Sequence, residues 1–101
     1  MLYAFVMFDK PDHADLRLRV RPDHLAYLGA VADRIAIAGP LTKDDGQETL
    51  GSLLVIEFPS RDAAHLWLAN EPFNKAGLYA SAAVQAFVNR WPQRAGFPET
   101  S

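Results

Sequence analysis

His24 is the residue whose type and position best suit acid–base chemistry. An imidazole gains and loses its proton near neutral pH, so histidine is the commonest general base. His24 follows Val20 by four residues and precedes Leu28 by four, which in a helix places it on or beside the core-facing side. The same spacing fits a core histidine capped by a backbone carbonyl, and spacing alone favours that structural interpretation.

Glu71 is a second candidate, because it stands directly before Pro72, where we expect the second helix to end. A carboxylate there would lie at the negative end of the helix dipole, where it is not electrostatically favoured. This position hints at a role other than capping. A solvated surface glutamate is the alternative.

Candidate ligand-binding residues surround these two. Arg17, Arg21 and His24 would line up in a continuous helix, and a guanidinium group suits an anionic substrate. Gly39 directly precedes Pro40, and Gly51 directly precedes Ser52, on either side of a polar loop. Such glycines are ordinary turn residues, but they also let a ligand approach the backbone. The candidate substrate-binding residues are therefore Arg17, Arg21, Gly39 and Ser52.

Six segments must position these residues. Ser60 predicts the N-cap of a helix that ends near Asn70. With the first helical segment, the order β-α-β-β-α-β predicts a ferredoxin-like α+β fold, an antiparallel sheet with both helices on one face. Aromatic and β-branched residues predict the four strands at 2–9, 35–38, 53–58 and 79–91.

The first helical segment contains a proline. Residues 12–33 carry apolar side chains at helical spacing, but the ring of Pro22 would clash with the carbonyl four residues earlier. We expect a short turn over 13–20 and a main helix that starts near Arg21. His24 would then lie in the first turn, where the helix dipole favours a neutral imidazole. The alternative is one long helix kinked at Pro22.

Both faces of the predicted sheet are apolar. In the first strand, Val6 and Phe8 point to one face, whereas Phe5 and Met7 point to the other. Two helices cover only one face, and the chain is too short to supply another layer. We therefore expect a homodimer that packs sheet against sheet.

Composition bounds the other possibilities. The 101 residues, 50% of them hydrophobic and 22% charged, predict one folded domain over 1–91 and a flexible C-terminal tail over 92–101. A net charge of −2 without a basic run argues against nucleic acid as a partner. The apolar N-terminus ends at Asp9, too soon to span a bilayer, so we expect no membrane partner.

The sequence lacks cysteine, which removes disulfides and thiolate nucleophiles and is compatible with the cytoplasmic location that we expect. No histidine pair has metal-ligand spacing, and no glycine-rich nucleotide motif is present. We expect no metal and no cofactor.

Four segments in this order and spacing resemble the YciI-like (YCII-related) family over about residues 1–91: 21–28, 38–41, 51–52 and 71–78. The resemblance implies the family's dimeric α+β barrel, in agreement with the expected sheet-against-sheet dimer. In this family a His and an Asp facing one cleft are the candidate catalytic pair, and a related member removes chloride from a chlorinated hydroxyquinol. The histidine matches His24, whereas the acid, within an Asp-Pro-aromatic motif, is Glu71 here.

The residues and the resemblance together predict a small cofactor-independent enzyme acting on a small anionic or aromatic metabolite. His24 would abstract a proton and Glu71 would orient it, which suits a lyase, an isomerase or a dehydrochlorinase. The alternative is a non-catalytic small-ligand-binding or accessory module. A third hypothesis is a cofactor-free oxygenase in which Trp67 and Trp91 line an aromatic pocket.

Overall fold

The computed structural model describes residues 1–91, so the predicted tail at 92–101 lies outside the described residues. Within the described part, no helix is long and apolar enough to cross a membrane. In chain order the elements are strand β1 (Leu2–Asp9), helix α1 (Ala14–Gly29), a 3-10 turn (Ala32–Arg34), strand β2 (Ile35–Thr42), strand β3 (Thr49–Glu57), helix α2 (Arg61–Ala69), helix α3 (Pro72–Lys75) and strand β4 (Tyr79–Phe87).

The four strands form one antiparallel sheet in the order β2-β3-β1-β4, which confirms the predicted ferredoxin-like fold. Phe5 of β1 lies opposite Leu54 of β3 and Val84 of β4, so these side chains share the face that the helices cover. The core lies between this face and the helices. Its largest fully buried apolar side chains are Phe5, Phe73, Met7, Leu54, Ile56 and Leu78.

The other sheet face is apolar as well. Phe8 and Phe87 project from it and are 47% and 42% exposed, and Ile37 is 39% exposed. Val55 on the same face is already buried by its neighbours. Large exposed apolar side chains on one sheet face call for a cover, and the homodimer remains our prediction of what covers them.

Helix α1 runs through Pro22 from Ala14 to Gly29, so the predicted break before Arg21 is wrong and the alternative of one long helix holds. An interior proline costs about 3 kcal/mol, but side chains on both sides of it are anchored to the rest of the fold. Arg17 bonds to β1 and β3, and the Tyr27 hydroxyl donates to a backbone carbonyl of α2 at 2.8 Å. These tertiary contacts outweigh the local penalty.

The strands differ from their predicted bounds. β2 continues through Gly39 and Pro40 to Thr42, because an edge strand tolerates a proline whose missing N–H leaves no partner unsatisfied. β3 begins at Thr49, earlier than predicted. β4 ends at Phe87, before the predicted end at residue 91.

Gly51 has a packing role in β3. A Cβ at this position would lie 1.9 Å from the backbone oxygen of Met7, an impossible contact with the neighbouring strand. Glycine therefore lets β3 approach β1 closely at the point where Ser52 follows. The side chain of Ser52 faces the helices and is buried.

Candidate functional site

A cleft of about 1160 Å³ opens beside α1, with the β2–β3 hairpin on its other side and the end of β1 between them. Five of the six residues singled out from the sequence line it, and Glu71 is buried next to it behind His24. The five lining residues are Arg17, Arg21, His24, Gly39 and Ser52.

His24 and Glu71 are in direct contact. Nδ1 of His24 donates a hydrogen bond to Oε1 of Glu71, although the two residues are 47 positions apart. The Glu71 side chain is 0% exposed, and that of His24 is 8% exposed. Because Nδ1 faces the carboxylate, the other ring nitrogen, Nε2, is the one left to act on a molecule in the cleft.

Glu71 receives further donors on its second oxygen. The Tyr79 hydroxyl donates to Oε2 at 3.0 Å, and the backbone N–H of Asn74 donates to the same oxygen at 3.1 Å. With His24, three donors thus serve one buried carboxylate, which a buried anion needs to offset the loss of water.

The position of Glu71 corrects two expectations. Glu71 follows the end of α2 as expected, but it is also the N-cap of α3, so its carboxylate lies at the positive end of that short helix and the expected unfavourable dipole is wrong. The solvated-surface alternative is wrong as well, since the side chain is fully buried. Pro72 was expected only to end the second helix, whereas it is also the first residue of a new helix, which places Glu71 at a helix start.

His24 also differs from its expected surroundings. It lies well inside α1, so the first-turn dipole effect does not act on its imidazole. Its partner is a carboxylate, and the structural alternative of a capping backbone carbonyl does not apply. The ring stacks on Phe73, with centroids 4.0 Å apart and planes 18° from parallel. Stacking and the hydrogen bond together fix the orientation of the imidazole.

Arg17 joins a second polar cluster. Its Nη1 donates to Oδ2 of Asp9 at 2.7 Å, and its Nη2 donates to Oγ of Ser52 at 2.8 Å. Its guanidinium also lies 4.7 Å from the ring centroid of Phe73, the ring that stacks on His24. Arg17 therefore contacts three neighbours, and Asp9 balances its charge.

Only one of the two carboxylate oxygens of Asp9 has a hydrogen-bond partner in the described part of the chain. Its side chain is 10% exposed, and within residues 1–91 its Oδ1 is the one buried side-chain oxygen or nitrogen without a hydrogen-bond partner. A buried acceptor without a donor is costly and uncommon in folded proteins. This carboxylate consequently keeps an unused hydrogen-bonding capacity at the edge of the cleft.

Arg21 and Gly39 line the cleft without joining either cluster. Within the described residues, Arg21 has no carboxylate within ion-pair distance, unlike Arg17. No described atom lies within 4 Å of the position that a Cβ would take at Gly39, so packing inside the chain does not demand glycine there. Arg21 is thus the candidate cation whose charge is not already balanced by a direct partner.

Burial and the carboxylate of Glu71 raise the pKa of two tyrosines, Tyr79 and Tyr27. Burial is the main cause that raises the pKa of Tyr79 above its ordinary value of 10.0, and the charge of Glu71 and the hydrogen bond to it raise it further, against an opposing effect of Arg17. Burial and Glu71 also raise the pKa of Tyr27. Tyr79 therefore keeps its proton and remains a donor at neutral pH.

Sequence reasoning missed three members of this region, namely Asp9, Phe73 and Tyr79. Asp9 ends an apolar strand, and that change from apolar to charged was the available signal. β3 and β4 both start beside the end of β1, because both run antiparallel to it, which brings Ser52 and Tyr79 to the same end of the sheet. Only the strand pairing reveals this proximity.

Other side chains do not extend the site toward a metal or an aromatic pocket. Across the described part of the chain, no group of three or more His, Cys, Asp or Glu side chains could hold a metal ion. Trp67 packs in the core against Phe5 and Phe58, and Trp91 is 90% exposed. Neither tryptophan lines the cleft, so the aromatic pocket of the third hypothesis is not formed by them.

Comparison with known proteins gives close relatives. Protein YciI of Escherichia coli O6:H1 is 37% identical over 94 residues, which cover 86% of this chain and 96% of the relative. The structure of 5-chloro-2-hydroxyhydroquinone dehydrochlorinase (TftG) from Burkholderia phenoliruptrix AC1100, in complex with 2,5-dihydroxybenzoquinone, is 34% identical, with a TM-score of 0.81 over 87% of this chain and 94% of that one.

A more distant structure, an antibiotic biosynthesis monooxygenase, has a TM-score of 0.52 at 15% identity over 88% of this chain and all of that one. At this identity the likeness concerns the fold alone, which is the α+β arrangement of dimeric barrel proteins. The YCII-related domain matches residues 1–88, nearly the whole described chain. With the 37% identity to YciI, this match shows that the chain belongs to the YCII-related family.

Proposed function

We propose that this protein is a cofactor-independent enzyme in which His24 acts as a general base on a small molecule bound in the cleft. One observation carries the proposal. The imidazole of His24 lines the cleft and binds a fully buried carboxylate through Nδ1, which leaves Nε2 to accept a proton from a bound molecule. A carboxylate in this position orients the ring and stabilises the imidazolium that forms when the base takes up a proton.

The chemistry that fits is elimination or isomerisation initiated by proton removal. Nε2 takes a proton from a hydroxyl group or from carbon next to a carbonyl, and the electron pair moves into the substrate. In an elimination that pair expels a leaving group such as chloride, so the substrate loses the elements of HCl and no outside oxidant or reductant takes part. Glu71 keeps its own charge throughout and balances the imidazolium.

Substrate contacts are assigned by charge and position. Arg21 would attract an anionic group, because its charge is not balanced by a direct ion-pair partner within the described residues. Arg17, whose charge Asp9 balances, would present its guanidinium as a hydrogen-bond donor and not as a free charge. Ser52 and the backbone at Gly39 complete the proposed binding set.

The solved relative supports a small-molecule substrate. TftG is named as a dehydrochlorinase of a chlorinated hydroxyhydroquinone and binds 2,5-dihydroxybenzoquinone. At 34% identity and a TM-score of 0.81, the likeness makes planar hydroxylated rings the first class of compound to test here. His24 and Phe73, whose rings stack on each other, both line the cleft that such a ring would enter.

The test is chloride release from 5-chloro-2-hydroxyhydroquinone, followed with a chloride electrode in the purified protein and in a His24→Gln variant. General base catalysis contributes about 10²–10⁴-fold, so we expect release by the natural protein and a loss of that order in the variant. His65→Gln is the matched control, because His65 lies exposed on α2 and should leave the rate unchanged.

The ligand-binding alternative predicts a different result. If 2,5-dihydroxybenzoquinone binds in calorimetry but neither chloride release nor exchange of substrate hydrogen for deuterium occurs with a panel of hydroxylated rings, the protein is a binding module and the enzymatic proposal fails. Equal rates in the natural protein and His24→Gln would also contradict the role of His24.

We also propose that the working form is a homodimer packed through the outer sheet face. Phe8, Ile37 and Phe87 expose 39–47% of their surface on that face, and the helices of the same chain lie on the opposite one. Light scattering at micromolar concentration should give twice the chain mass of 11.2 kDa. A Phe8→Asp variant should be monomeric, and a monomer in the natural protein would contradict the proposal.

A cytoplasmic location is likewise a proposal, which the lack of cysteine fits. Cell fractionation with an antibody against the protein checks it. Recovery in the membrane or secreted fraction would contradict it.

A further inference from the structure

We infer that Tyr79 is a positioning residue of the proposed site: its hydroxyl holds the Glu71 carboxylate in the orientation in which Oε1 receives the Nδ1 proton of His24. The inference rests on the proposed function for its consequence in catalysis, but the orientation itself can be measured without a substrate. Tyr79 does not line the cleft, so its effect would pass through Glu71 and His24.

The geometry of the carboxylate carries the inference. Oε2 accepts from the Tyr79 hydroxyl at 3.0 Å and from the Asn74 N–H at 3.1 Å, while Oε1 accepts from His24. The two oxygens of the Glu71 carboxylate lie in one plane with Cδ and Cγ, so two donors on Oε2 also fix where Oε1 points. With only the Asn74 N–H left on Oε2, the group could turn more easily about its last side-chain bond.

The location of Tyr79 separates positioning from simple space filling. Its ring packs edge-on against Phe73, with centroids 6.2 Å apart and planes at 80°. Phe73 in turn stacks on His24. A phenylalanine at position 79 would keep the ring contact and lose only the hydroxyl, so Tyr79→Phe isolates the hydrogen bond to Glu71.

The experiment measures solvent exchange of the His24 Nδ1 proton by NMR in protein labelled with ¹⁵N at histidine. In the natural protein this proton is protected by the bond to a buried carboxylate. We expect Tyr79→Phe to exchange it at least about tenfold faster, because opening of the bond becomes easier when one of the donors that hold Glu71 is removed. Exchange within about twofold of the natural rate, with native backbone spectra, would overturn the inference.

Tyr27→Phe is the matched control. The Tyr27 hydroxyl also lies near the charge of Glu71, but it donates to the backbone oxygen of Trp67 and makes no hydrogen bond with the carboxylate. It should therefore leave the exchange rate unchanged. Equal acceleration in both variants would mean that loss of any tyrosine hydroxyl loosens the fold, and would overturn a specific role for Tyr79.

A second variant covers a failure of Tyr79→Phe to fold. 3-Fluorotyrosine at position 79 keeps the ring and makes the hydroxyl a stronger donor, so exchange of the His24 proton should slow; an unchanged rate would overturn the inference. Where the enzyme assay succeeds, Tyr79→Phe should lower kcat about tenfold or more with KM within about twofold. Where that assay fails, the exchange measurement still decides the inference by itself.

Discussion

Two carboxylates, those of Glu71 and Asp9, contact side chains of α1, and they differ in burial and in the number of donors that they accept from. Glu71 is fully buried and accepts from three donors, one of which is His24. Asp9 is 10% exposed and ion-paired to Arg17, and its Oδ1 has no partner in the described part of the chain. Phe73 lies between the clusters and contacts both Arg17 and His24.

The difference separates a rigid pair from an adaptable one. A fully satisfied buried network fixes its members, because each change of position breaks a hydrogen bond that water cannot replace. A carboxylate with an unused acceptor near a cleft can take on a new donor at little cost. We therefore expect the His24–Glu71 pair to set the reaction geometry, and the Arg17–Asp9 pair to adjust to what the cleft binds.

The largest effect should follow from removing the rigid carboxylate. Glu71→Ala leaves the His24 Nδ1, the Tyr79 hydroxyl and the Asn74 N–H without their acceptor, so the free energy of unfolding should fall by about 3–5 kcal/mol. Urea unfolding followed by circular dichroism measures this loss. Glu48→Ala is the control, since Glu48 pairs with Lys43 at 58% exposure on both sides and should matter by about 0–1 kcal/mol.

Removing a member of the adaptable Arg17–Asp9 pair should lower the free energy of unfolding by less. Arg17→Met keeps an unbranched stem against Phe73 but removes the donors to Asp9 and Ser52. The change leaves two acceptors without their donor, against the three donors that Glu71→Ala leaves, so we expect a loss of about 2 kcal/mol in the same urea experiment, below that of Glu71→Ala. A loss equal to that of Glu71→Ala would mean that the two clusters are equally rigid.

Because Tyr79 donates to the buried Glu71 carboxylate, the free energy of unfolding should also depend on alkaline pH. The pKa of Tyr79 is raised, so the unfolded chain releases this proton above about pH 10 while the folded chain keeps it. Stability from this group is therefore complete below pH 10 and falls as pH rises further, by at most about 1.4 kcal/mol per pH unit. Tyr27, whose pKa is also raised, acts in the same direction.

Urea midpoints measured between about pH 9 and 11 check this slope. Because other groups also titrate in that range, the informative quantity is the difference between the natural protein and Tyr79→Phe, which should have the flatter profile. Parallel profiles would contradict the predicted contribution of Tyr79.

The same two clusters show how far the sequence could lead. His24 and Glu71 were found from helical spacing and from the motif around Pro72, which are local patterns. Their direct contact spans 47 positions and depends on how α1 and α3 pack, which no local pattern records. The strand order could be predicted from the alternation of elements, because few topologies fit four strands and two helices.

The errors arose where tertiary contacts outweighed local rules. Pro22 was expected to begin a helix, yet anchors on both sides carry α1 through it. The second helix ends before Pro72 as expected, but the new helix that begins at Pro72 and is capped by Glu71 was not predicted. Tyr79 and Asp9 were missed because strand pairing, with an irregularity at the end of β1, places them opposite each other.

The smallest effect on stability, and the most informative about the cleft, should come from Asp9→Asn. The amide keeps an oxygen to accept from Arg17, and it removes a buried charge of which one oxygen is unpartnered, so the lost ion pair is partly offset. Because the hydrogen bond from Arg17 is kept, we expect the free energy of unfolding to fall by about 1 kcal/mol, less than in Arg17→Met.

Binding should change in the opposite sense. Without Asp9 to balance it, the charge of Arg17 becomes available to the cleft, so an acidic ring such as 2,5-dihydroxybenzoquinone should bind about fivefold tighter, a gain near 1 kcal/mol. Calorimetry at low and high salt checks this, because the gain should shrink as salt screens the exposed charge. A loss of stability as large as that of Glu71→Ala, or weaker binding, would show that Asp9 is as rigidly built into the fold as Glu71.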